Sequence, residues 1–148
     1  MKLVATFGTA ANTVPVQETT RSEYEFLGYH LVASYSGCDL ARLQNKEEML
    51  KVMKLAVEKA GATLLDTCHY TFDNGAFTAV MLLSESHASI HTYPEVQACF
   101  VDLFTCGSTC DPRKFHNAMK RYLRPAQTAA NIFERNSSSN KIADRSES

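Results

Sequence analysis

The chain of 148 residues contains no tryptophan, only four prolines and six glycines, and no excess of either charge. Its longest unbroken apolar run, residues 79–83, is too short to span a bilayer, so we expect no membrane segment. The net charge of -1 offers no basic surface, and we expect no nucleic-acid partner. With 45% hydrophobic and 21% charged residues, the composition excludes a disordered or coiled-coil chain and predicts a globular domain.

Cysteine is present in an odd number, which argues against a disulfide framework. The apolar stretch near the N-terminus is too short for a secretion signal, so we expect free thiols and a cytoplasmic location. Cys68 and Cys99 lie in strand-like runs, and we expect both to be buried and inert. Cys110 is expected at the entry to a helix, close enough to Cys106 for oxidative pairing.

Composition divides the chain into three parts. Residues 1–22 are polar and Thr-rich without a sustained period, which predicts a mobile N-terminal arm. Residues 136–148 are of low complexity and predict a disordered tail. The folded domain is therefore predicted to be residues 23–135.

Apolar periodicity within this domain predicts six strands, at about residues 28–35, 63–72, 77–84, 87–91, 96–105 and 128–133. Asp73-Asn74-Gly75 predicts a hairpin turn between the second and third of them.

Two helices are predicted between the strands. Asn45, with Glu48 in a capping box, begins an amphipathic helix that ends at Gly61. Asp111, followed by a proline in the first turn, begins a second helix that ends before Pro125.

This element order predicts an α+β two-layer sandwich, with a largely antiparallel sheet and both helices on one face. The other sheet face would carry apolar residues without a covering layer. We therefore expect a homodimer in which two sheets pack together in an αββα arrangement.

Residues 84–107 bring hydroxyl, imidazole, carboxylate and thiol groups into one segment, and three interpretations are open. In the first interpretation, the histidines are ordinary strand residues and Ser86 lies in a loop. In the second, a serine or cysteine nucleophile works with a histidine base. Alternatively, a zinc site is built from Cys68, His69, His87, His91, Cys106 and Cys110, although the chain has no Cys-x-x-Cys pair or HExxH motif.

Three motifs in this segment carry a resemblance to a known family: Glu85-Ser86-His87, Ile90-His91-Thr92-Tyr93-Pro94-Glu95 and Asp102-Leu103-Phe104-Thr105-Cys106-Gly107. In this order and spacing they closely resemble the small prokaryotic S-adenosylmethionine decarboxylases. The likeness continues into Leu27-Gly28-Tyr29-His30-Leu31, Gly37-Cys38-Asp39 and His69-Tyr70-Thr71-Phe72.

The resemblance implies a proenzyme that cuts itself between Glu85 and Ser86 and converts Ser86 into a pyruvoyl group. This cofactor forms a Schiff base with the substrate amine and accepts the electron pair left by decarboxylation, the task that pyridoxal phosphate performs elsewhere. The implied product is the aminopropyl donor for spermidine and other polyamines. No metal is implied.

The resemblance also assigns roles to five further residues. In processing, His91 removes the α-proton of Ser86, and Thr78 holds the oxygen of an intermediate. In catalysis, Cys106 returns a proton to the substrate Cα. In substrate binding, Phe72 stacks on adenine and Glu95 grips the ribose hydroxyls.

Three departures from the family pattern concern the pocket. Tyr93 stands where tryptophan is common, Ala88 replaces a larger aliphatic residue, and Asp73-Asn74-Gly75-Ala76 replaces a stretch that often carries proline before glycine. Relatives on this scaffold decarboxylate arginine or ornithine, but Phe72 and Glu95 favour a nucleoside substrate. A catalytically dead regulatory paralogue is the remaining alternative, and the filled reactive positions disfavour it.

Overall fold

The computed structural model describes residues 26–137, in which six strands and three α-helices are formed. In chain order these are β1 (Leu27–Ser36), α1 (Leu40–Gln44), α2 (Lys46–Ala60), β2 (Leu64–Thr71), β3 (Phe77–Leu83), β4 (Ser86–Tyr93), β5 (Ala98–Cys106), α3 (Pro112–Leu123) and β6 (Gln127–Asn136).

All six predicted strands are present, whereas two short elements were not predicted. These are α1 and a single 3₁₀ turn at Pro94–Val96, which occupies the predicted start of the fifth strand. The last strand reaches Asn136 and so crosses the predicted domain boundary. The predicted arm at residues 1–22 and the tail beyond residue 137 lie outside the described residues.

The strands form one sheet in the order β2-β3-β4-β5-β1-β6, and each neighbouring pair is antiparallel. Helices α2 and α3 pack against each other and the same face of this sheet. The predicted α+β class is therefore confirmed, with a third, short helix added. None of the helices in residues 26–137 is long and apolar enough to cross a membrane.

The ends of α2 follow from local chemistry. The side chain of Asn45 accepts the backbone N–H of Glu48 at 3.1 Å, as predicted for an N-cap. The reciprocal half of the predicted capping box is not formed, because the N–H of Asn45 donates to the carbonyl of Arg42. Gly61 ends the helix with a φ of 88°, a conformation that glycine adopts without a Cβ clash.

Strand alternation gives the sheet two different faces. One face packs on the helices through a continuous core that includes Leu31, Phe77, Ile90 and Leu103. We call the other face the open face; it carries Val32, Val80, Leu82, Phe100 and Phe133, all exposed to solvent.

The cysteine predictions are met in part. Cys99 is buried, but Cys68 is exposed, so the prediction for Cys68 was wrong. Its strand, β2, is at the edge of the sheet, and Cys68 pairs with the open-face residue Val80. All five thiols are free.

Candidate active site

Residues predicted to act together lie in two groups, at opposite ends of β4. Ser86 begins this strand and His91 lies near its end. Five residues of extended chain separate them by about 17 Å, at roughly 3.3 Å per residue. We call the two groups the Ser86 end and the His91 end.

The Ser86 end brings the predicted cleavage point next to Cys106. Ser86 is in register with Thr105 on β5, and the backbone N–H of the following residue, Cys106, donates to the carbonyl oxygen of Glu85 at 2.9 Å. The carboxylate of Glu85 accepts the N–H of Thr63 at 2.8 Å. The peptide carbonyl before Ser86 is therefore held by a hydrogen-bond donor, and the side chain of Glu85 is fixed beside it.

Two further observations distinguish this end. Ser86 has a φ of 157°, at the edge of the region that residues with a Cβ disfavour. The hydroxyl of Thr105 is fully buried and has no hydrogen-bond partner within residues 26–137.

Glycines in the recognised motifs allow this geometry. Gly107 turns the chain directly after Cys106 with a φ of 84°, and its N–H donates to the carbonyl of Leu27. Gly28 lies against the ring of Phe104, where an added Cβ would come within 2.6 Å of a ring carbon. These contacts hold the end of β5, which carries Cys106, against the start of β1.

The His91 end contains the predicted substrate-binding residues. Thr78 and His91 are directly opposite on β3 and β4, and the Thr78 hydroxyl lies 3.0 Å from Nδ1 of His91. Phe72 and Glu95 line a groove of about 520 Å³ with this pair. This volume falls in the usual range for small-ligand pockets.

The aromatic wall of this groove is available to a ligand. Phe72 is 48% exposed and lies edge-to-face with Tyr70, with the ring centroids 5.0 Å apart. Tyr93, at the departure from the family pattern, lines the same groove and packs against Phe100.

Between the two ends lies a polar cluster in which the sequence predicted a role only for His87, as a zinc ligand in one of the three interpretations. His30 and His87 both face one carboxylate oxygen of Asp102, with Nε2 to Oδ2 distances of 3.4 and 3.7 Å. The hydroxyl of Ser89 donates to the other oxygen. A period-two count would have placed all four residues on one face, but only a structure gives the strand order that makes them neighbours.

The cysteines near the site differ in environment. Cys106 is exposed, whereas Cys110 is buried and donates to the carbonyl of Gly61. Burial raises the pKa of the Cys110 thiol, although a hydrogen bond with Thr109 opposes this. Cys110 therefore serves to pack the entry of α3, as predicted.

The six residues considered for zinc are not brought together. In the described part of the chain, the metal-ligating side chains that converge are those of His30, His87 and Asp102, of which only His87 belongs to the set considered.

Comparisons with known proteins agree with the motifs. The S-adenosylmethionine decarboxylase family matches residues 29–136, and the chain therefore belongs to this family. The S-adenosylmethionine decarboxylase proenzyme of Thermosipho melanesiensis is 40% identical over 98 residues, which cover 66% of this chain and 75% of that protein. The corresponding proenzyme of Caldicellulosiruptor saccharolyticus is 35% identical over 109 residues, covering 74% and 88%.

A solved structure shows the same fold. The crystal structure of the adenosylmethionine decarboxylase from Aquifex aeolicus superposes with a TM-score of 0.69 at 28% identity, covering 84% of this chain and 99% of that one.

Proposed function

We propose that this chain is an S-adenosylmethionine decarboxylase that first cleaves itself between Glu85 and Ser86. The observation that carries the proposal is the contact of the Glu85 carbonyl with the N–H of Cys106, beside the hydroxyl of Ser86. This contact brings the Glu85–Ser86 peptide bond and the backbone of Cys106 together, which supports cleavage at this bond and a role for Cys106 beside it. Membership of the decarboxylase family supports the same chemistry.

The residues at the Ser86 end fit a pyruvoyl group derived from Ser86. Such a carbonyl supplies the electron sink that decarboxylation of an α-amino acid requires. The half-buried Ser86 is partly shielded from water, and the exposed thiol of Cys106 is accessible to a substrate. Cys106 is therefore proposed to deliver the proton to the substrate Cα after carbon dioxide leaves.

The groove at the His91 end supports a nucleoside substrate. Phe72 presents an exposed aromatic ring for stacking on adenine, and Glu95 offers a carboxylate to accept hydrogen bonds from ribose hydroxyls. Arginine and ornithine have neither group. These two residues thus favour S-adenosylmethionine over both amino acids.

The separation of the two ends supports a homodimer with shared sites. Phe72 and Glu95 line the groove at the His91 end, about 17 Å along β4 from Ser86, so we infer that a substrate bound there meets Ser86 of a partner protomer. If two open faces pack about a two-fold axis perpendicular to the strands, the Ser86 end of one protomer meets the His91 end of its partner. Such a dimer also covers the exposed apolar residues of the open face.

This arrangement gives His91 and Thr78 their processing roles across the interface. The hydrogen bond between the Thr78 hydroxyl and Nδ1 of His91 orients the imidazole. We propose that the partner's His91 removes the α-proton of Ser86, while the partner's Thr78 holds the ester oxygen.

A cytoplasmic location, with the product used in polyamine synthesis, is part of the same proposal. Free thiols at all five cysteines are consistent with a reducing compartment.

The test is release of carbon dioxide from carboxyl-labelled S-adenosylmethionine, arginine and ornithine in parallel. We expect turnover of S-adenosylmethionine only. Glu95→Gln should raise the KM for this substrate, with Glu134→Gln, on β6, as a matched control that leaves it unchanged. Faster turnover of arginine or ornithine would refute the proposed substrate.

A further inference from the structure

A connected set of polar groups leads from Ser86 into the open face. The hydroxyl of Ser86 lies 3.2 Å from Nδ1 of His87. On the other side of the same ring, Nε2 lies 3.7 Å from the carboxylate of Asp102. The order hydroxyl, imidazole, carboxylate is the arrangement by which a serine hydroxyl is activated in other enzymes.

We propose that His87 is the general base of self-cleavage and that Asp102 is its positioning residue. This inference rests on the proposed function, in which the Ser86 hydroxyl attacks the carbonyl carbon of Glu85. A neutral serine hydroxyl is a weak nucleophile, and a neighbouring imidazole that takes its proton strengthens it. His87 is the side chain in contact with that hydroxyl in the described structure.

Asp102 selects the form of His87 that can act as a base. A carboxylate facing Nε2 favours the tautomer that carries its proton there, which leaves the Nδ1 lone pair directed to Ser86. The separation of 3.7 Å is an ion-pair distance, so Asp102 also stabilises the ring once it is charged. The hydroxyl of Ser89 holds the carboxylate in place through its other oxygen.

The proposed step is balanced in atoms and charge. The Ser86 oxygen forms a bond to the carbonyl carbon of Glu85 while its proton passes to Nδ1 of His87. The N–H of Cys106 stabilises the developing oxyanion on the Glu85 carbonyl. The carbon–nitrogen bond then breaks, and His87 returns the proton to the nitrogen of Ser86, leaving an ester and a free amine.

His30 distinguishes this inference from a metal site. Its Nε2 also faces Asp102, and the three ligand atoms of His30, His87 and Asp102 lie within 4.8 Å of one another, close enough to hold a divalent cation. A metal site would require His30 as strongly as His87. A general base requires the residue that contacts Ser86, which is His87.

The experiment follows cleavage of freshly synthesised full-length precursor by gel and intact mass, with EDTA present throughout. His87→Ala should slow cleavage by about 100- to 10,000-fold, the usual contribution of one general base. Added imidazole should restore part of the rate. His69→Ala, a matched change at an exposed histidine on β2, should cleave at the wild-type rate. Asp102→Asn should slow cleavage without rescue by imidazole, because the base itself is still present.

The outcomes separate this inference from the proposed function. If the wild-type chain and His87→Ala cleave at the same rate, the role of His87 is overturned while self-cleavage is still established. Slow cleavage of His87→Ala that imidazole does not restore would also overturn it. A metal site would be identified instead by two results together. EDTA would abolish cleavage of the wild-type chain, and without EDTA His30→Ala would cleave as slowly as His87→Ala. A wild-type chain that never cleaves would refute the proposed function itself.

Discussion

The backbone N–H of Cys106 donates a 2.9 Å hydrogen bond to the carbonyl oxygen of Glu85, across the start of β4 and the end of β5. Because this contact uses the main chain, it is independent of the cysteine side chain. We therefore expect Cys106 to have two separable functions, with its N–H serving self-cleavage and its thiol serving turnover.

Replacing the thiol should separate the two functions. Cys106→Ala keeps the N–H, so self-cleavage should proceed normally. Turnover of S-adenosylmethionine should fall by about two to four powers of ten, as expected when a positioned proton donor is lost. The measurement is the cleaved fraction by intact mass beside kcat for carbon dioxide release.

Cys68→Ala removes another exposed thiol, outside both ends of the site, and should change neither quantity. Near-wild-type kcat in cleaved Cys106→Ala would show that another group supplies the proton.

Shared sites predict complementation between two impaired variants. Cys106→Ala damages the Ser86 end and Glu95→Ala damages the His91 end, so each homodimer should have only a small fraction of wild-type activity at substrate concentrations below the wild-type KM. In a mixed dimer, one site carries both substitutions and the other carries neither. Random pairing should thus restore about a quarter of the wild-type activity, because half the dimers are mixed and half their sites are intact.

The measurement is activity of the two variants co-expressed with different tags. The control is the two purified homodimers mixed without exchange, which should keep this low activity. If each site lay within a single protomer, every site in the mixed dimer would carry one substitution. Activity that stays at the level of the single variants would therefore contradict the shared site.

Stability should depend on pH through His116. The hydroxyl of the buried Tyr35 lies 2.7 Å from Nδ1 of His116. Burial, together with the nearby charge of Lys120, lowers the pKa of His116 in the folded state. The unfolded chain therefore takes up a proton first, and this contribution to stability, present above about pH 6.5, is lost as pH falls.

Urea unfolding of Ser86→Ala, which keeps the chain whole, measures this effect between about pH 7.5 and 5.5. The further substitution His116→Asn keeps a hydrogen-bonding side chain near Tyr35 that does not titrate, so the free energy of unfolding should fall less on acidification. An unchanged pH dependence would exclude His116 as its source.

Local sequence signals were sufficient for most of the fold. Alternation located the strands, and Asn45, Gly61 and Asp111 placed the ends of the longer helices. The five-residue helix α1 was missed because so short an element has no sustained period. Exposure of Cys68 was missed because it depends on the edge position of β2, which is a property of the sheet order.

Prediction of the site from the sequence was limited in the same way. The family resemblance predicted roles for Ser86, His91 and Cys106 but could not show that one extended strand holds Ser86 and His91 far apart. It also could not reveal the convergence of His30 and Asp102, which lie 72 residues apart in sequence and meet through pairing of β1 with β5.

Intact-mass analysis of the purified protein tests the central claim of self-cleavage most directly. We predict two chains, residues 1–85 and residues 86–148, with the second lacking a free amino terminus. Ser86→Ala should yield one chain of 148 residues. A single uncleaved wild-type chain that nevertheless decarboxylates S-adenosylmethionine would contradict the account.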